Sequence, residues 1–181
     1  MKVVFLDIDG VLNSERFFAE AQPARWGIGH IDPGAVGRVQ ELARRTGAKI
    51  VISSAWRHAY PVADLRVILR VAGLEAPIVG ATPDLDDGGA EGRVRAAEIT
   101  AWLEGNALRA EHGRAEPVEA YVVLDDLEDF GPLEPRVVRT RFADGLLDEH
   151  VERAVALLGA EGRDVAEVTR AATAWARGVA R

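Results

Sequence analysis

No cysteine occurs in the 181 residues, which excludes disulfides, thiolate metal sites and thiol nucleophiles and is compatible with a reducing compartment. Positive charge is scarce: 22 Lys and Arg stand against 29 Asp and Glu, a net charge of -7. That balance excludes broad, backbone-driven binding to nucleic acid, which depends on neutralising many phosphates, but leaves room for recognition of one phosphorylated end. No apolar run approaches the ~18 residues of a spanning helix, so no membrane role and a cytoplasmic location are expected. The four histidines, His30, His58, His112 and His150, have no ligand spacing, and without cysteine they leave zinc no donor set. What is present is ordinary for a globular chain: 48% hydrophobic and 28% charged residues, enough for a proper core. A single domain over residues 1–181 is expected.

Against this plain background one stretch stands out. Val3-Val4-Phe5-Leu6 is an apolar β-compatible run, and Asp7-Ile8-Asp9-Gly10 follows at once. Carboxylates spaced i and i+2 share one face of an extended chain and can address one reacting centre, while Gly10 permits a sharp turn. Open α/β folds bind ligands at this rim, where parallel strands end. Further along, Asn13 to Ile31 has no sustained period and reads as a flap or small insert. Asp32 as N-cap, Pro33 at the first helical position and Gly47 as stop bound a helix. Strands are expected at Lys49 to Ser53, Pro77 to Val79, Ala120 to Leu124 and Arg136 to Thr140. Helices are expected at Pro61 to Val71, Arg93 to Leu103, Leu146 to Leu158 and Val165 to Trp175, and Ala81 to Gly92 reads as an exposed loop. Strands alternating with helices imply an α/β fold: a Rossmann-like three-layer sandwich, with a parallel sheet of about five strands and helices on both faces.

Three more features fall where this arrangement would bring them to the rim. Ser53-Ser54 ends the Ile-Val-Ile strand, where a hydroxyl can bond a phosphate oxygen or simply cap a turn. Arg95, or Arg93, opens a helix against the macrodipole. Asp125-Asp126 ends the Val-Val-Leu strand, and adjacent acids call for a cation or solvent. Two acid-tipped strands in one parallel sheet can share a divalent ion. Magnesium suits a few carboxylates completed by water and phosphate oxygens.

The ordered series Asp-x-Asp-Gly-Val-Leu, strand-Ser, helix-start Arg, strand-Asp-Asp resembles the phosphatase branch of the haloacid dehalogenase (HAD) superfamily. More closely, Ile52-Ser53-Ser54-Ala55-Trp56-Arg57, Arg95-x-x-Glu98-Ile99-x-x-Trp102-Leu103, Val123-Leu124-Asp125-Asp126 and Gly145-Leu146 resemble the small group of HAD domains found in multi-functional RNA-repair proteins. The resemblance implies that Asp7 is the nucleophile, forming an aspartyl-phosphate, and Asp9 the general acid and base. It implies that Asp7, the backbone carbonyl of Asp9 and Asp126 bind Mg2+, with Asp125 in support. It also implies that Ser53 and Arg95 hold the transferring phosphoryl oxygens, with Ser54 and Arg93 as rivals in register. Arginine departs from the superfamily's more usual lysine. Because Asp9 is present, the likeness is to phosphohydrolases rather than to dehalogenases.

The two insertion points, Asn13 to Ile31 and Ala81 to Gly92, are too short for a cap domain, so a small flap beside an open site is expected. An open site admits a phosphorylated small molecule, a nucleotide or a nucleic-acid end, or it is covered by a second subunit in a homo-oligomer. Gly10, Ser54 and Arg57 are candidate substrate contacts, with Arg16, Trp26 and Arg57 the candidates for a base or second phosphate; for Trp26, as for Phe17, packing of the insert onto the domain is the favoured reading. The expected function is Mg2+-dependent hydrolysis of phosphomonoesters. The rival readings are a catalytically idle phosphate or nucleotide sensor on the same fold, and a receiver-like domain, whose phosphoacceptor would follow a later strand than the first.

Overall fold

The computed structural model describes residues 1–20, 30–85, 91–159 and 165–179. Five strands form one sheet: β1 (Lys2–Leu6), β2 (Lys49–Ile52), β3 (Ile78–Ala81), β4 (Ala120–Asp125) and β5 (Val137–Arg139). Their order is β3-β2-β1-β4-β5, and every pairing is parallel. This is the Rossmann-like α/β arrangement expected of strands that alternate with helices. The chain steps outward from β1 to β3, then returns to place β4 on the other side of β1. The strand order reverses between β1 and β4, and a crevice opens at their C-terminal ends.

Side-chain parity sorts the core. Val4, Leu6, Ile50, Ile52, Val122 and Leu124 point to one face and pack with α2 (Pro33–Thr46), α4 (Val62–Val71) and α6 (Asp148–Gly159). Val3, Phe5, Val51, Tyr121 and Val123 point to the other, under α5 (Glu91–Glu111) and α7 (Val165–Val179). With both faces covered, the strands read as nearly unbroken apolar runs. Parity also places two acids: Asp7, one residue past β1, and Asp125, the last residue of β4, continue the Phe5 and Val123 series, toward α5.

The α2 boundaries follow the local signals. Asp32 accepts a hydrogen bond from the Gly34 amide at 2.7 Å, and Gly47 closes the helix at φ 70°. Elsewhere the borders shift for identifiable reasons. β3 begins after Pro77, whose carbonyl accepts from the Ile50 amide at 2.8 Å, and pairing runs on to Ala81 past an irregularity at Ile50/Val51. α5 continues through Gly105 to Glu111 because Asn106, buried on its inner face, donates to the Glu116 carbonyl at 3.0 Å. Arg136 belongs to a 3-10 helix, Gly131–Arg136, so β5 starts one residue later than expected. α6 starts at Asp148, two residues later than expected. Two short helices had no period to announce them: α1 (Glu15–Glu20) and α3 (Trp56–Ala59). α1 occupies the start of the expected flap, capped by the Ser14 hydroxyl on the Phe17 amide at 3.1 Å. Its Phe18 ring packs near Phe142, 6.4 Å between centroids. Residues 21–29 of the flap, with Trp26, and residues 86–90 of the expected 81–92 loop lie outside the described residues; the ends of that expected loop belong instead to β3, which takes Ala81, and to α5, which takes Glu91 and Gly92. Among the described residues no helix is long and apolar enough to cross a membrane.

Candidate active site

The site is built where β1 and β4 end side by side. Leu6 pairs with Leu124, and the Asp7 amide continues the ladder to the Leu124 carbonyl at 3.0 Å. Asp7 and Asp125 therefore leave the sheet as neighbours. Asp126 turns toward them, and one carboxylate oxygen from each of the three lies within 4.8 Å of the others. Gly10, at φ 72°, passes so close that a Cβ there would run into the Asp126 carboxylate. A side chain at position 10 would displace that acid, so the turn requires glycine both for its conformation and for its clearance.

Burial is the main charge problem. Asp7 is 5% exposed and Asp125 fully buried. Burial raises the Asp7 carboxyl above its ordinary range, against the opposing pull of Arg95 and a hydrogen bond from the Ser54 hydroxyl. Burial, with the Asp7 charge adding to it, pushes Asp125 up to about 7. Asp126 is raised as well, first by burial. Three carboxylates resisting ionisation together, with oxygen as their only donor atom, suit a hard divalent cation.

Arg95 is the counter-charge already present. From the second turn of α5 its Nη1 lies 3.3 Å from Asp7 Oδ1 and donates to Asp125 Oδ2 at 3.1 Å and to the Ser53 carbonyl. Burial alone would lower its pKa, but the charges of Asp7, Asp125 and Glu98 outweigh that and hold it above the ordinary arginine value. Arg93 faces away, paired with Asp129 at 2.5 Å and lying over the Trp175 ring. Of the two serines, Ser54 bonds Asp7. Ser53 is locked by its backbone, its amide donating to the Leu6 carbonyl at 2.8 Å, and its buried hydroxyl has no partner among the described residues.

Asp9 sits apart from the carboxylate cluster. The strand stops at Leu6, so Asp9 is on the following turn and exposed rather than level with Asp7 on an extended face. Asn13 Nδ2 donates to its Oδ1 at 2.7 Å, and the indole Nε1 of Trp56 donates to its Oδ2 at 2.9 Å. Arg57 donates to the Ser54 carbonyl at 2.7 Å and to the carboxylate of Glu98, which also accepts from the Leu85 amide at 3.1 Å. Arg16 lies elsewhere, donating to the Asp144 carbonyl at 3.3 Å. A cavity of about 570 Å3 opens over these groups, bringing Asp7, Asp9, Asp126, Arg57, Arg95 and Glu98 to one surface.

Three members of this network had no role assigned from sequence: Asn13, Trp56 and Glu98. Two had a usable signal. Asn13 is four residues from Asp9 across a glycine turn, and Glu98 is one helical turn from Arg95 and hence on its face. Trp56 had none, because its contact with Asp9 joins the ends of two different strands.

The arrangement combines an oriented buried carboxylate, a guanidinium against it, an oxygen-only carboxylate cluster of a geometry that could hold a metal ion, and a further carboxylate at the rim. Those are the parts needed for displacement at phosphorus. Compared with known families, residues 3–151 match the family model described as "HAD domain in Swiss Army Knife RNA repair proteins". No curated protein and no solved structure matches the chain.

Proposed function

The chain belongs to the HAD domains of Swiss Army Knife RNA repair proteins, and we propose that it is a magnesium-dependent phosphohydrolase acting on phosphomonoesters through an aspartyl-phosphate. The observation that carries this reading is the meeting of the Asp7, Asp125 and Asp126 carboxylates within 4.8 Å, with Arg95 at 3.3 Å from Asp7. The reading takes the chain as one domain of this kind.

Asp7, Asp126 and the Asp9 carbonyl would hold Mg2+, with Asp125 in support. When bound, the ion supplies positive charge between an anionic nucleophile and an anionic phosphate that otherwise repel. In the first half-reaction an Asp7 oxygen bonds to phosphorus as the ester P–O bond breaks, and Asp9 gives its proton to the departing oxygen. In the second, Asp9 takes a proton from water, whose oxygen bonds to phosphorus, releasing inorganic phosphate and the Asp7 carboxylate. Arg95, already fixed against Asp7, stabilises the transferring phosphoryl oxygens, and a serine hydroxyl from 53 or 54 assists. Arg57 and the backbone at Gly10 border the leaving group. The open cavity and the family together favour a nucleotide or a nucleic-acid end as substrate.

Hydrolysis of p-nitrophenyl phosphate tests the reading. Turnover is expected with Mg2+, lost on chelation, and reduced at least about 10³-fold in Asp7→Asn without loss of fold. Substantial turnover by Asp7→Asn would remove the nucleophile assignment. No turnover by the Mg2+-loaded wild type, with retained phosphate binding, would favour a sensor.

A further inference from the structure

Asp9 is pinned from two sides by groups of different origin. Asn13, from the same turn, takes one carboxylate oxygen and also accepts from the Gly10 amide at 3.0 Å. Trp56, from α3 beyond the end of β2, takes the other. The indole is itself held in place. Its ring packs partly buried against the core and lies 5.7 Å from the Tyr60 ring, tilted by 36°. α3 is then fastened to α5 through Arg57 and the 2%-exposed Glu98. A short helix with no buried residue of its own is thus anchored at both ends of its first dipeptide, one contact reaching the rim carboxylate and the other the helix that carries Arg95.

An exposed carboxylate on a turn has two free side-chain torsions, and proton transfer requires one of its oxygens within hydrogen-bond reach of the leaving oxygen. Asn13 alone leaves the carboxylate able to pivot about that single bond. A second donor, mounted on an element that does not move with the turn, removes the pivot. We infer that Trp56 is a positioning residue for proton transfer: its indole N–H fixes the Asp9 carboxylate at the mouth of the cleft, so that the acid meets the oxygen leaving phosphorus. The inference rests on the assignment of Asp9 as general acid under the proposed function.

Such a role depends on the leaving group, whereas a merely structural role does not. p-Nitrophenolate leaves without a proton, while the alkoxide of glycerol 2-phosphate needs one. The quantity to compare is kcat/KM, which reports the chemistry only through the first half-reaction and so excludes the later water step. In Trp56→Phe, which keeps the ring and removes the donor, kcat/KM for glycerol 2-phosphate should fall about 10-fold more than for p-nitrophenyl phosphate. In Asp9→Asn the gap should widen to about 10²-fold or more, the scale of general acid catalysis. Combining the two substitutions should add nothing to the gap seen in Asp9→Asn. A second readout needs no turnover: of the four indole N–H resonances, that of Trp56 should shift in Asp9→Asn. Equal losses on both substrates in Trp56→Phe, with the gap present in Asp9→Asn, would overturn the inference and leave the function standing. Equal losses in Asp9→Asn would instead overturn the acid assignment and the inference with it.

Discussion

At the scale of single residues, the site is a contest between burial and charge. Asp125 is raised to about 7 by burial first and by the Asp7 charge second, while Arg95 and the Leu127 amide oppose. In the unfolded chain the same carboxyl titrates near 3.8. Between those values the folded protein binds more protons than the unfolded one, so stability without a cation falls as pH rises from about 4 to about 7 and levels off above. Below about 4 both states are protonated and the contribution is fully present. Asp7 and Asp126, also raised, act in the same direction. The lowered Glu41, Glu116 and Glu152 act the opposite way in the acid range, but they are paired on the open surface, where such effects are small; half-buried His150, lowered by burial, also opposes the decline as pH rises toward 6.5, one group against three acids. Urea denaturation in the presence of a chelator, from pH 4 to 8, should show this decline, and millimolar Mg2+ should flatten it. Stability that rises from pH 4 to 7 in chelator would mean that the three acids do not share a buried pocket.

At the scale of elements, the position of α5 decides where Arg95 lies. Gly92, in the first turn of α5, passes so close to the loop after β4 that a Cβ would overlap the Glu128 carbonyl. A backbone oxygen cannot rotate away, so Gly92→Ala must lift the helix start and carry Arg95 off the carboxylates. A loss of about 1–3 kcal/mol is expected, the usual range for overpacking, together with a fall in the proposed phosphohydrolase turnover at temperatures where the variant remains folded. An alanine variant with unaltered melting and rate would show that α5 is not pinned there. The elements also differ in how openly the sequence declares them. β1, β2 and β4 are continuous apolar runs ending in polar residues, and a doubly covered parallel sheet leaves that pattern. α2 carries both of its caps. α1 and α3 are six and four residues long, too short for a helical period to register, and they are held by tertiary contacts. The full reach of α5 was hidden by Gly105, a residue that lowers helix propensity but is tolerated once neighbouring positions are buried. Within the site, the approach of Asp7 and Asp125 follows from strand parity and was open to sequence reasoning. The choice between Arg93 and Arg95 was not, because it depends on the rotation of α5 about its axis. Asp9 departs from the simple i, i+2 picture because the strand ends one residue before Asp7.

At the scale of the whole molecule, the two apolar clusters are closed by different parts of the chain. The family match ends at residue 151, inside α6, while α7 lies wholly beyond it. Yet α7 belongs to the core on the α5 face: Ala172 is buried, and Val168 and Trp175 pack against the cluster containing Phe5, Ile99, Phe130 and Leu133. Gly131, at φ 53°, meets the Trp175 ring where a side chain would collide. Arg93 lies over that ring at 5.9 Å, and Thr173 hydrogen-bonds Glu104 of α5. Two helices must share this face because a sheet five strands wide, spaced about 4.8 Å apart, exceeds the roughly 10 Å width of α5 alone. Deleting residues 160–181 should therefore cost at least about 3 kcal/mol, the scale of losing one large buried aromatic. For a chain of this size that corresponds to a fall of about 10 °C in melting temperature. The deleted protein should also expose Phe130 and Leu133 and bind a hydrophobic dye. Because the carboxylates, Arg95 and Trp56 all lie outside the deleted segment, turnover measured well below the new melting temperature should survive. Loss of turnover at full fold would instead mean that α7, through Trp175 and Arg93, sets the N-terminal end of α5 and hence the reach of Arg95.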